Sequence, residues 1–138
     1  MALTKVPYEM RSSEKIEIFN ITFTITKSTT SAIGVAHFKA PADLVISSCS
    51  LQLFNRGSGY SFPAILEIDV KKNLTPEDTG MTSIFSVKPA MDFEDYVDYD
   101  YVSGTLNTVN VSSGDYLRLD ITSIPSGFIG SFQVTLYA

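Results

Sequence analysis

The residues best suited to chemistry lie together at 91–101, MDFEDYVDYDY, where five carboxylates and four aromatic rings interleave with no base among them. Carboxylate-rich loops suit Ca²⁺, but the EF-hand spacing, with its central Gly and terminal Glu, is absent. Paired carboxylates also run glycoside hydrolysis, in which the distance between the two acids decides the reaction, and a sequence does not give that distance. The plainer reading is a solvated edge strand or loop whose charges keep sheets from stacking edge to edge, while Phe93, Tyr96 or Tyr99 pack on the body. A further use is recognition. Asp95, Tyr96, Asp98, Tyr99 and Tyr101 then form an exposed aromatic and acidic surface for a sugar or a protein partner.

Elsewhere the chemistry is sparse. His37 stands beside Phe38 with neither Ser nor Asp at triad spacing, so a strand histidine is the default. A single Cys49 makes no intrachain disulfide, and one His with one Cys builds no common metal cluster. Cys49 shares the apolar phase of Leu51 and Leu53, which suits a buried, inert thiol. The sequons at Asn20, Asn73 and Asn110 require a secretory route. The start, MALTKVPYEMRSS, has no apolar core or cleavage site of a secretory signal, so synthesis in the cytoplasm is expected. No catalytic residue, metal or cofactor is expected.

At 138 residues the chain is long enough for one domain with one core. A hydrophobic share of 44% with 18% charged residues is too apolar for disorder, yet no stretch reaches the length of a membrane span. The formal charge of −5 repels a phosphate backbone, so nucleic acid is not expected as a partner, and without an apolar span neither is membrane insertion.

Period-two alternation supplies the elements. Phe19, Ile21, Phe23 and Ile25 alternate with Asn20, Thr22, Thr24 and Thr26. Leu66, Ile68 and Val70 alternate with Glu67, Asp69 and Lys71, and Leu117, Leu119 and Ile121 with Arg118 and Asp120. Cys49, Leu51 and Leu53 form another apolar phase, as do Phe132, Val134 and Leu136 against Gln133 and Thr135. Each reads as a strand with one buried face and one polar face. Residues 33–38, 82–87 and 105–111 are shorter candidates. Turn signals fall between these runs at 27–31, 55–59, 71–80, 112–115 and 124–127, and no segment has ten residues of helical period. About eight short strands in one domain predict an all-β, antiparallel jelly-roll β-sandwich over 14–138. Residues 1–13 lack the alternation and read as an extended N-terminal arm.

Two stretches carry a resemblance. Thr4, Lys5, Val6, Tyr8 and Met10 match the Thr-Lys-Val-x-Tyr-x-Met opening of many tailed-phage fibre and tailspike proteins. From about Phe19 onward, HFKAPADLVI at 37–46, ILEIDVKKN at 65–73, SIFSVKPAM at 83–91 and SSGDYLRLDITSIPSGFIGSFQVTLYA at 112–138 resemble the jelly-roll module of phage head and tail fibres and capsid decoration proteins. The last stretch is the most specific, because Gly114 permits a tight turn and Asp115 reaches nearby backbone amides, fixing the register of the final strands.

The resemblance implies a non-enzymatic virion protein at the particle surface, frequently a homotrimer, bound to a major capsid protein or another virion component. Without a long shaft, a capsid decoration or short head-fibre protein is favoured over a tail-fibre or receptor-binding module that recognises host surface polysaccharide. The arm then grips its partner through Leu3, Val6, Pro7, Tyr8 and Met10.

Overall fold

The computed structural model describes residues 20–26, 31–75, 80–107 and 110–138, and among these every regular element is a strand. In chain order the strands are β1 (Asn20–Thr26), β2 (Ala32–Lys39), β3 (Leu44–Val45), β4 (Ser48–Asn55), β5 (Ile65–Asn73), β6 (Thr82–Ser83), β7 (Phe85–Val87), β8 (Ala90–Asp92), β9 (Tyr101–Ser103), β10 (Thr105–Leu106), β11 (Asn110–Val111), β12 (Tyr116–Ser123) and β13 (Ser131–Tyr137). The proposed arm, with Leu3, Val6, Pro7, Tyr8 and Met10, lies outside the described residues. So do Phe19 and most of the turn expected at 27–31.

Two sheets face each other. The first has the order β1-β13-β4-β9; the second has the order β2-β12-β5-β6, with β8 on the same free edge of β5. All these pairings are antiparallel. Counting β6 and β8 as one position and setting aside the short pairs β3·β11 and β7·β10, the sheets read 1-8-3-6 and 2-7-4-5. First then pairs with eighth, second with seventh, third with sixth and fourth with fifth. That is one long antiparallel hairpin wound around itself, and it defines an antiparallel jelly-roll β-sandwich.

The alternation explains which faces close on each other. From the first sheet Phe23, Phe132, Val134, Leu51 and Leu53 turn inward, and from the second Leu66, Ile68, Val70, Leu117, Leu119 and Ile121 meet them, all of these buried. At one end the interior is aromatic: Tyr60 meets Phe93 edge-on at 5.4 Å between centroids, Phe93 lies 5.8 Å from Phe128, and Phe128 lies 6.3 Å from Phe132. The core therefore absorbs more of the aromatic content than the alternating stripes alone account for.

The closing turn forms as its residues dictate. Gly114 has φ +89°, Asp115 Oδ2 accepts from the Ser112 amide at 3.0 Å, and the Gly114 amide donates to Ala40 O at 2.8 Å. This ties the entry to β12 to the exit from β2.

One sequence expectation needs correction. Alternation predicts one buried and one polar face for β5 and β12, yet Asp69, Arg118 and Asp120 on the polar face are buried as well. These strands are central in their sheet, and neighbouring side chains satisfy their charged groups. Arg118 holds Asp120, Ser83 Oγ donates to Asp69 Oδ1 at 2.5 Å, and Lys88 Nζ lies 3.9 Å from Asp69.

Candidate functional site

The acidic segment is built as a pair of carboxylate-capped turns. Asp92 Oδ1 accepts from the Glu94 amide at 3.0 Å, and Asp100 Oδ2 accepts from the Val97 amide at 2.9 Å. Asp98 Oδ1 takes the Arg56 amide at 2.9 Å, while the Arg56 guanidinium donates to the carbonyls of Phe93 and Tyr96. Three of the five acids thus organise backbone. Among the described residues, no three His, Cys, Asp or Glu side chains converge as metal ligands.

The candidate aromatics separate into two groups. Phe93 is fully buried and Tyr96 is half-buried against the core, so Tyr96 is not part of an exposed surface. Tyr99 and Tyr101 are 70% and 67% exposed, and Asp95 and Asp98 are exposed beside them in sequence. Tyr99 adopts φ +70°, a left-handed conformation that a bulky residue rarely takes. It is held there by its amide, which donates to Leu53 O at 2.7 Å, and by its carbonyl, which accepts from Gln52 Nε2 at 3.2 Å.

From Tyr101 the chain enters β9, the edge strand beside β4, and the outer face of the first sheet comes into view. Its register places Thr22, Thr135, Ser50 and Ser103 in one row across the four strands. The next row is Thr24, Gln133, Gln52 and Tyr101. Asn20, Tyr137 and Ser48 align in a third. None of these side chains is charged. A shallow cleft of about 440 Å³ opens on this face, lined by Ser48, Ser50, Gln52, Tyr101, Ser103 and Tyr137 with Cys49 beneath. Burial pushes the Cys49 thiol from 9.0 up to about 12, which keeps it protonated and unreactive.

The outer face of the second sheet is its opposite in character, carrying His37, Lys71 and the buried Arg118, Asp120 and Asp69. Sequence reasoning found Tyr99 and Tyr101 but missed Gln52, Ser50 and Tyr137, which come from strands far apart in the chain. A signal was present. The outward phases of residues 20–26, 48–53 and 131–137 hold no charge, whereas those of 66–71 and 117–121 hold five charged side chains.

No protein-family model matches the sequence, and no curated protein matches it. Solved structures do resemble it. A chain of the capsid of Ralstonia phage GP4 superposes with a TM-score of 0.54 at 13% identity, over 87% of this chain and 82% of that one. A chain of the acid-stable capsid of Helicobacter pylori bacteriophage KHP30 gives 0.46 at 10% identity, over 87% and 86%. The first likeness shows a shared jelly-roll fold.

Proposed function

We propose that the chain is a non-enzymatic structural protein of a phage virion: a capsid decoration or short head-fibre protein, attached through residues 1–13. The observation that carries the reading is the fold itself. The jelly-roll order extends over nearly the whole described chain, and its likeness to a phage capsid chain, at a TM-score of 0.54, covers 87% of the sequence. Fold likeness alone is an analogy. It agrees with the fibre-like opening segment and with an acidic segment in which three of the five carboxylates hold backbone amides.

On this reading the protein is made in the host cytoplasm and ends at the virion surface as a homotrimer. Leu3, Val6, Pro7, Tyr8 and Met10 anchor the arm on the major capsid protein or another virion protein. Ordering a dozen residues costs about 1–2 kcal/mol each, so several apolar anchors must be buried together, and three arms per trimer add avidity.

The test is incorporation. A variant lacking residues 1–13 should fold, melt like the full chain and be absent from purified particles, and Val6→Asp with Tyr8→Ala should behave alike. Normal incorporation of both would overturn attachment by the arm. Light scattering coupled to size exclusion should give three chain masses; one chain mass both in solution and on dissociated particles would overturn the trimer. A receptor-binding role is the second reading, favoured by the exposure of Tyr99 and Tyr101.

A further inference from the structure

We infer that the outer face of the first sheet binds a neutral oligosaccharide, in the cleft lined by Tyr101 and Tyr137. The inference deepens the receptor-binding reading and does not depend on where in a particle the protein sits.

Charge is the first argument. The chain carries fifteen acidic and ten basic residues, yet the outward positions of β1, β13, β4 and β9 place none of them on this face. A phosphate, sulfate or uronate would be desolvated there without a cation, and a cationic ligand without an anion. A purely apolar ligand would cover the Ser48 and Ser103 hydroxyls and offer them nothing in place of water. The lining fits a ligand that is uncharged and rich in hydroxyls.

The groups themselves are the second argument. The hydroxyls of Ser48, Ser50 and Ser103 and the amide of Gln52 each both donate and accept, which is what sugar hydroxyls require. Tyr101 and Tyr137 are 67% and 39% exposed and add two rings. A tyrosine ring offers an apolar plate to the C–H face of a pyranose and a phenol to its rim. The cleft of about 440 Å³ lies in the size range of small-ligand sites.

Preorganisation is the third. The lining side chains stand on paired strands, and Gln52 is oriented by its bond to the Tyr99 carbonyl. Tyr99 in turn keeps a conformation costly for a bulky residue while leaving its ring in solvent. Such an outlier points to a role outside the fold.

The experiment uses the full chain and a panel of neutral probes: maltoheptaose, cellohexaose, mannohexaose and a galacto-oligosaccharide, with polygalacturonate and heparin as charged controls. Binding is read by titration calorimetry and by tyrosine fluorescence, unobscured because the chain has no Trp. At least one neutral probe should bind and neither control should. Tyr101→Ala and Gln52→Ala should each weaken binding about tenfold or more, as loss of a stacking ring or a central hydrogen bond does. Tyr101→Phe should retain most of it, and Tyr116→Ala, on the other sheet, should leave it unchanged; equal melting temperatures keep the comparison valid. No binding of any neutral probe at about 10 mM, far weaker than a useful site, overturns the proposal. So does binding that survives both alanine variants. A change of oligomeric state in Tyr101→Ala would instead assign the face to a second copy of the chain and also overturn it. None of these outcomes bears on incorporation, so failure here and failure of the virion reading are distinguishable.

Discussion

Arg118 and Asp120, two residues apart on β12, form a two-point ion pair inside the protein: Nε to Oδ1 and Nη2 to Oδ2 are each 2.8 Å, and both side chains are almost wholly removed from water. The Gly34 amide donates to Asp120 Oδ1 at 2.7 Å, and Lys71 Nζ lies 3.8 Å from Oδ2. Asp120 thereby joins β2, β12 and β5 through one carboxylate. Each ion offsets much of the other's desolvation.

Asp120→Ala should therefore destabilise by about 3–5 kcal/mol, because it removes the carboxylate that pairs with a buried guanidinium at two points. Arg118→Leu combined with Asp120→Val removes both charges and should recover most of that loss. Chemical denaturation of the three proteins decides it. A single variant as stable as the parent would mean that water reaches the pair.

Leu119 lies between these two charges on the opposite face of β12 and is fully buried. Leu119→Ala should cost about 2–5 kcal/mol through lost transfer energy and a residual cavity. A melting curve that barely moves would remove Leu119 from the core.

How far the sequence could be read follows from this contrast. Leu117, Leu119 and Ile121 were legible as core because alternation marks one buried face, and the same rule located β1, β4, β5 and β13. It placed Arg118 and Asp120 on a polar face without revealing that this face is covered, since a period of two says which residues share a face but not what lies over it. Tyr99 and Tyr101 were legible as an aromatic cluster because they are neighbours in the chain. Gln52 and Tyr137 were not, because only strand order brings β4, β9 and β13 side by side.

Gly130 precedes β13 where the register against β4 slips, between Ser131 and Phe132. A Cβ there would lie 1.6 Å from the carbonyl oxygen of Asn55. Backbone cannot give way as a side chain does, so Gly130→Ala should destabilise by at least about 1–3 kcal/mol and disturb the β4–β13 pairing. Thermal melting with amide exchange on Phe132 and Val134 checks it; unchanged protection would refute the close approach.

Cys49 gives a pH dependence. Its thiol is raised by burial from 9.0 to about 12, so the folded chain keeps a proton that the unfolded chain releases. Folding stability from this group is intact below about pH 9 and falls as the pH rises toward 12. Between about pH 9 and 11 the parent should lose more stability than Cys49→Val, which lacks the thiol. At about pH 8 a thiol reagent should modify the denatured chain and spare the native one. Equal rates in both would show that the thiol is open to solvent.

Tyr99 supplies the last prediction. Its φ of +70° is one that Asn tolerates far better than a bulky aromatic, and its ring is 70% exposed, so little packing is lost when it is replaced. The bonds that hold the conformation, from its amide to Leu53 O and from Gln52 Nε2 to its carbonyl, are made by backbone atoms of Tyr99 and survive the change. Tyr99→Asn should therefore leave stability unchanged or raise it by up to about 1–2 kcal/mol, the cost of a left-handed residue with a Cβ and a large side chain. Tyr99→Gly should gain less, since glycine also widens the unfolded ensemble. The measurement is the denaturation midpoint of the three proteins side by side. A gain for Asn would mean that the tyrosine is kept at some expense to the fold. A loss greater than about 1 kcal/mol would mean instead that the ring packs against the domain and that its exposure is not maintained in solution.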